Sequence, residues 1–426
     1  MTTPPSSPHR QILSISPFAL ASLLLIGATR LILENSKQGR FSLLQFPPDE
    51  ILPLEIEEQS SWASNFSGGG SVAVPDDCNV FDGKWVYDNT SYPLYTDESC
   101  PYLSPQVTCQ KNGRPDSLYQ NWVWKPSECE LPRFDALKLL EILRNKRLMF
   151  IGDSIHRSQH QSMVCLVQSV IPDGKKSVHR KPSMKIFRAE EFNVSIEFYW
   201  APFLVESISD HAKKHSVQER LVKLDSIAKH SRHWEGADVL VFNSYVWWMY
   251  KPIINATNGT DSDMQEYNVT TAYRLALRTW ANWLETSIDG RKQRVFFMSS
   301  SPTHLWNWEW KAGGLGNCFN ESDPIQGPYW GTGSSHEIMG ILHDILQELK
   351  VEVTFLNITQ LSEFRKDGHT SVYTERKGNL LTSEERADPN TYADCIHWCL
   401  PGIPDTWNQI LYAHLLADYG FLQMSI

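Results

Sequence analysis

Two short stretches of the chain carry residue types able to do acyl chemistry. In "RLMFIGDSIHRSQ" (147–159) an apolar run ends in Gly152-Asp153-Ser154. In "YADCIHWCLPGIPDTWNQIL" (392–411) Asp394 and His397 stand three positions apart. A serine hydroxyl becomes a useful nucleophile when a base takes its proton, and the base needs a third group to hold its tautomer. Ser154, His397 and Asp394 supply those three roles, in a Ser…Asp…His chain order that is one of several known to build this geometry. A single helical turn is expected to bring Asp394 and His397 to one face. Gly152 permits a tight strand-to-helix turn. Ser154 then lies at a helix N-terminus, where free N–H groups and the helix dipole favour a developing anion. Taken alone, Gly-Asp-Ser is equally well explained by Asp153 or Ser154 acting as a helix N-cap.

These residues need a scaffold, and the pattern from Phe134 onward provides one. "RLMFIG" (147–152), "ADVLVFN" (237–243), "RVFFMSS" (294–300) and "VEVTFLN" (351–357) read as short strands apolar on both faces. Helical segments such as "TAYRLALRTWANWLE" and "HEIMGILHDILQELK" separate them. Such alternation predicts an α/β fold, a parallel sheet with helices on both faces. Sites in such folds form at the carboxyl ends of the strands. The ends here read "IGDS", "VFNS", "MSSSP" and "LNIT", mostly hydroxyls and amides. His156 and His160 have a spacing that suits one metal ion on a helix face. No Glu lies between them in the HExxH manner and no third ligand is evident, so no metal site is expected.

The whole chain sets further bounds. With 39 basic and 49 acidic residues, a net charge of −10 and no basic cluster, nucleic-acid binding is excluded. Ile12 to Thr29 is apolar and Leu31 to Leu33 resume the run. As a helix its 18 residues span roughly 27 Å, close to the ~30 Å of a bilayer core. We read residues 1–11 as a cytosolic tail, 12–33 as an uncleaved signal anchor, and 34–75, with "PPDE", "EIEEQ" and "SGGGS", as a flexible stem. Eight Asn-x-Ser/Thr sequons follow the span: Asn65, Asn89, Asn193, Asn255, Asn258, Asn268, Asn320 and Asn357. All eight cysteines follow it too, none in CxxC form. Both features predict a lumenal, disulfide-bonded body. Four of those cysteines crowd into residues 76–133 among aromatics and turn residues, a small stapled module. Sixteen tryptophans are present. "WNWEW" (306–310) and the pair Trp247-Trp248 are dense enough to expect some indole faces free for sugar rings.

At this point the long motifs become recognisable. "GDSIHRSQHQSMVCL" and "YADCIHWCLPGIPDTWNQILYAHL" resemble the plant trichome birefringence-like family of polysaccharide O-acetyltransferases. "CQKNGRPDSLYQNWVWKPSECELPRF" is similar to that family's Cys-rich N-terminal module. "IFRAEEFNVSIEFYWAPFLVE" and "FNSYVWW" look like the branch associated with xylan acetylation. The resemblance runs from about Cys78 to the C-terminus. It implies a single-pass type II Golgi membrane enzyme with an SGNH/GDSL-esterase-like catalytic domain over 134–426. It implies Ser154, His397 and Asp394 as the triad, Arg157 near the site, and Asn243 as an aid to the oxyanion hole alongside Gly152 and Asp153. It also implies the pairing Cys78–Cys129, Cys100–Cys165, Cys109–Cys399 and Cys318–Cys395. The partners implied are xylan as acceptor and an acetyl donor as co-substrate, with no bound cofactor. Two departures from the family pattern, Trp122-Val123-Trp124 and Ile155-His156, bear on the acceptor groove and not on the triad. The rival readings are an acetyl-ester hydrolase, and a non-catalytic wall-glycan binder that uses its tryptophans.

Overall fold

The computed structural model describes residues 78–212, 220–259 and 263–424. The expected tail, anchor and stem, the Asn65 sequon and the first two residues of the Cys-rich module lie outside the described residues. Among the described residues, no helix is long and apolar enough to cross a membrane.

The Cys-rich segment forms one antiparallel hairpin, β1 (Gly83–Tyr87) with β2 (Trp122–Pro126). There follow α1 (Ala136–Ile142), β3 (Arg147–Gly152) and α2 (Ser154–Gln168). Next come β4 (Lys176–Lys181), β5 (Met184–Ala189) and β6 (Val194–Trp200), a meander. β7 (Leu221–Lys223) and α3 (Ala228–Trp234) lead to β8 (Val239–Phe242). β9 (Ile253–Thr257) and β10 (Gln265–Asn268) join β7 in a small separate sheet. The alternation resumes with α4 (Val269–Ser287), β11 (Arg294–Met298), α5 (His336–Glu348), β12 (Thr354–Leu356) and α6 (Thr359–Glu363). The chain closes through β13 (His369–Ser371), the pair β14 (Glu375–Arg376) and β15 (Asn379–Leu380), and the short turns α7 (Ser383–Arg386) and α8 (Pro389–Tyr392). Last come β16 (Asp394–Trp398) and the long α9 (Ile403–Met424).

The main sheet has seven strands in the order β12-β11-β8-β3-β6-β5-β4. The first five run parallel. β5 and β4 add antiparallel at the β6 edge, so the sheet is mixed and not purely parallel as expected. All four expected strands are present and adjacent, and β6 is an addition. Its run is interrupted by Glu197, whose carboxylate is satisfied by Arg147 of neighbouring β3 at 2.9 Å. Helices cover both faces. On one, Phe150 meets His156 and His160 of α2, and Phe296 meets His414 of α9. On the other, Phe242 and Phe297 both pack on Trp280 of α4. Successive strand residues point to opposite faces, which is why Phe296 and Phe297 reach different helices.

Tryptophan use divides between core and surface. Trp247 is 3% exposed and Trp248 fully buried, packed against Phe203. The expectation of a free sugar-binding face fails for this pair, because the adjacent apolar surface is the sheet's own flank. Trp306 and Trp308, by contrast, are 41% and 47% exposed. The sequons also divide. Asn89, Asn193, Asn255, Asn258, Asn268 and Asn320 are exposed. Asn357 is buried at the end of β12, with its Oδ1 enclosed.

Four disulfides are formed: Cys78–Cys129, Cys100–Cys165, Cys109–Cys399 and Cys318–Cys395. This is the pairing the resemblance implies. The second and third join the Cys-rich segment to α2 and to the residue after β16. Arg114 reinforces that join, donating to the carbonyls of His369 and Asp367.

Candidate active site

The strand order dictates where a site opens. The chain leaves β3 for β6 on one side, and later elements return to β8 on the other. The carboxyl end of β3 is therefore the switch point, where a crevice forms outside the sheet. Gly152 ends β3, and a Cβ there would sit 2.5 Å from the Asn243 carbonyl oxygen and 3.3 Å from the His156 Cβ. Glycine is required by space. Asp153 is the N-cap of α2: its Oδ1 accepts from the Ile155 N–H at 2.8 Å. Ser154 is the first helical residue and is partly exposed. The expected cap and the expected nucleophile thus occupy consecutive positions, and one does not preclude the other.

Asp394 and His397 lie on β16, not on the helical turn expected. In a regular strand, residues three apart point to opposite faces. Here Asp394 Oδ1 accepts from the backbone N–H groups of both Ile396 and His397, at 3.1 and 3.0 Å, and bends the strand. A register irregularity against β13 marks the same bend. The bend brings the His397 ring back over the carboxylate. His397 Nδ1–H donates to Asp394 Oδ2 at 2.7 Å, which leaves Nε2 as an acceptor. The Ser154 hydroxyl lies 2.7 Å from that Nε2. The structure thus brings Ser154, His397 and Asp394 together within hydrogen-bond distance.

The backing of this array is aromatic and histidine-rich. His369 of β13 stacks on Trp398 with centroids 3.8 Å apart, and its Nδ1 lies 3.1 Å from the His397 carbonyl oxygen. His304 contacts His369, nitrogen to nitrogen, at 2.7 Å. Disulfides to Cys395 and Cys399 hold both sides of His397. Burial alone would raise the Asp394 carboxyl. The charge and hydrogen bonds of His397 outweigh it and hold Asp394 well below the usual carboxylate range. For Asp153 burial outweighs the Ile155 N–H and the charges of His397 and Arg157, and pushes its carboxyl up to about 6.

The remaining expected residues fall into place unevenly. Arg157, one turn past Ser154, donates from Nη2 to Gln106 Oε1 at 2.6 Å. No sequence motif singles out Gln106. Its position between Cys100 and Cys109, each bridged to an element of the site, was the available signal. Asn243 is a correction. Its Nδ2 donates to the carbonyls of Met298 and Ser299, both at 3.0 Å, and its backbone N–H donates to Ile151. It ties β8 to β11 and offers no donor to an oxyanion. His156 and His160 are fully buried against Phe150, and burial pushes both down to about 3. They are neutral core side chains. Among the described residues, no group of three or more His, Cys, Asp or Glu could hold a metal ion.

A parallel-centred sheet with a serine at the end of its central strand, facing a histidine–aspartate pair from the C-terminus, defines the SGNH/GDSL-like class. Comparison with known proteins agrees. Residues 131–414 match the profile of the GDSL/SGNH-like acyl-esterase family found in Pmr5 and Cas1p, and residues 76–130 match the PMR5 N-terminal domain. The chain is 61% identical over 423 residues to trichome birefringence-like protein 31 of Arabidopsis thaliana, covering 98% of this chain and 99% of that one. It is 50% identical over 343 residues to probable xylan O-acetyltransferase 8 of Oryza sativa subsp. japonica, covering 79% and 78%. It is 49% identical over 356 residues to xylan O-acetyltransferase 6 of the same plant, covering 81% and 64%. The chain belongs to the trichome birefringence-like family.

Proposed function

We propose that the chain is an O-acetyltransferase that moves acetyl groups onto xylosyl hydroxyls of xylan, held in the Golgi membrane by residues 12–33 with its body in the lumen. One observation carries the chemistry: the hydrogen-bonded line from Ser154 through His397 to Asp394. In this reading Ser154 Oγ attacks the carbonyl carbon of an acetyl donor while His397 Nε2 takes the hydroxyl proton. The Ser154 backbone N–H, at the start of α2, faces the tetrahedral oxyanion. The intermediate collapses as the donor's leaving group departs with the proton from His397, and acetyl-Ser154 remains. A xylosyl hydroxyl then gives its proton to His397 and attacks the acyl carbon. A second collapse frees Ser154, which recovers the proton. Asp394 keeps His397 in the accepting tautomer and stabilises the imidazolium at both stages.

The substrate part of the reading is supported by the relatives whose names state xylan O-acetyltransferase activity. The family description also includes esterases, and water in place of the xylosyl hydroxyl turns the same steps into hydrolysis. One experiment tests both. The purified chain is incubated with an acetyl donor and unacetylated xylo-oligosaccharides, and products are read by mass spectrometry and NMR. Acetylated oligosaccharide that depends on Ser154 supports transfer. Free acetate with no acetylated oligosaccharide refutes transfer in favour of hydrolysis.

A further inference from the structure

Arg157 lies three residues past Ser154 in α2, so the two side chains share a helix face. A guanidinium carries five N–H donors and no acceptor. In this structure it makes one side-chain hydrogen bond, to the neutral amide oxygen of Gln106. Its Nε is enclosed by protein without a partner. The carboxylates in its electrostatic reach are Asp153, at the foot of its own helix, and Glu375 of β14, and neither forms an ion pair with it. Lys185 of β5 also reaches it and adds positive charge. The face of Trp200 lies 6.0 Å from its guanidinium carbon.

The partner is held as firmly as the arginine. The Gln106 carbonyl accepts from Thr374 Oγ1 at 2.9 Å. The next residue, Val107, is fully buried, and its carbonyl accepts from the Leu400 N–H at 2.9 Å. Cys100 and Cys109, on either side, are bonded to Cys165 and Cys399. With its oxygen occupied by Arg157, Gln106 presents only its amide N–H groups. The cluster beside Ser154 is therefore rich in fixed donors and carries the charges of Arg157 and Lys185, with Asp153 and Glu375 nearby but neither ion-paired to Arg157, in a chain whose net charge is −10.

We propose that Arg157 and Gln106 form a subsite for an anionic oxygen group, a carboxylate or a phosphate, carried by a substrate of the reaction at Ser154. With Nε enclosed and one Nη2 hydrogen on Gln106, Nη1 and the second hydrogen of Nη2 are left to take two oxygens side by side, the geometry at which Arg surpasses Lys. Gln106 fixes the orientation of the fork, so the Cys-rich module contributes directly to substrate choice. This rests on the acyl-transfer reading only for its location. The anion belongs either to the leaving group of the acetyl donor or to an acidic sugar on the acceptor.

The test uses the full chain with Ser154→Ala, so that no turnover is needed. It is titrated separately with sodium pyrophosphate, with D-glucuronate and with neutral xylotriose, by calorimetry and by the ¹⁵Nε resonance of Arg157. We expect at least one anion to bind and shift that resonance. In the Arg157→Gln form of the same protein that anion binds at least tenfold more weakly, and Arg157→Lys falls between. Pyrophosphate alone assigns the subsite to the donor; glucuronate alone assigns it to the acceptor. If neither anion moves the Arg157 resonance, or if Arg157→Gln binds both as tightly as the parent, the proposal is overturned. Should Arg157→Gln fail to fold, the resonance of the Ser154→Ala protein decides. Because binding is read without catalysis, its failure is distinct from a failure of the acyl-transfer reading.

Discussion

His397 Nε2 stands 2.7 Å from Ser154 Oγ, across 243 residues of chain. That contact makes a sharp demand on variants. Ser154→Ala and His397→Ala should each abolish acetyl transfer, a drop of at least ~10³-fold, because neither alanine can form or assist the acyl-enzyme. Asp394→Asn should lower the rate by roughly 10²–10⁴-fold, since the amide no longer stabilises the imidazolium. All three should melt within a few degrees of the parent. Substantial transfer by a folded Ser154→Ala protein would remove the serine from the mechanism.

Gly152 should tolerate no side chain. A methyl group there meets the Asn243 carbonyl oxygen at 2.5 Å, and backbone cannot yield as a side-chain tip would. Gly152→Ala should cost about 1–3 kcal/mol of stability and displace Ser154 along with the turn. Chemical denaturation and transfer rate should therefore fall together.

Cys399 lies two residues past His397 and is bonded to Cys109, 290 residues away. Its replacement by Ser should reduce stability by about 2–4 kcal/mol. It should also slow catalysis, because the His397 strand loses one of its two covalent ties. Cys78→Ser, whose bond with Cys129 lies wholly in the Cys-rich segment, should lower stability with a smaller effect on rate. Comparing transfer rates at matched folded fraction separates the two.

Glu363, at the end of α6, provides a pH signature. It accepts from Ser334 Oγ at 2.6 Å and from the Gly331 N–H at 3.2 Å, and burial pushes its carboxyl from 4.5 up to about 8. Between these values the native state holds a proton that the unfolded state has released. Stability from this group is thus complete below about 4.5 and declines as pH rises to about 8. Glu363→Gln mimics the protonated form and has no such dependence. The melting temperature of the variant relative to the parent should rise from pH 5 to pH 8; a flat difference would refute the shift.

The sequence was most legible where one residue type has one physical use. Apolar runs at 147–152, 237–243, 294–300 and 351–357 have no stable place except a covered sheet, and each contains a strand. β6 was hidden because Glu197 breaks its apolar run, and only the fold reveals that Arg147 neutralises it. The Asp394–His397 pair was recognised, but its conformation was not. A spacing of three fits a helix, whereas the carboxylate here bends a strand by accepting two backbone N–H groups. Asn243 shows a common limit: an amide's partners depend on elements far away in the chain. Gln106 is the clearest case, since its relation to Arg157 exists only once two disulfides have joined their segments.

The Cys109–Cys399 bond also imposes an order on biosynthesis. The chain is made from its N-terminus, and at ~5–20 residues per second the 290 residues between these cysteines take roughly 15–60 s to synthesise. Through that interval Cys109 has no native partner, while Cys78, Cys100 and Cys129 are close by in the nascent chain. Any early bond that captures Cys109 has to be undone by thiol exchange before Cys399 can pair with it and secure the His397 strand.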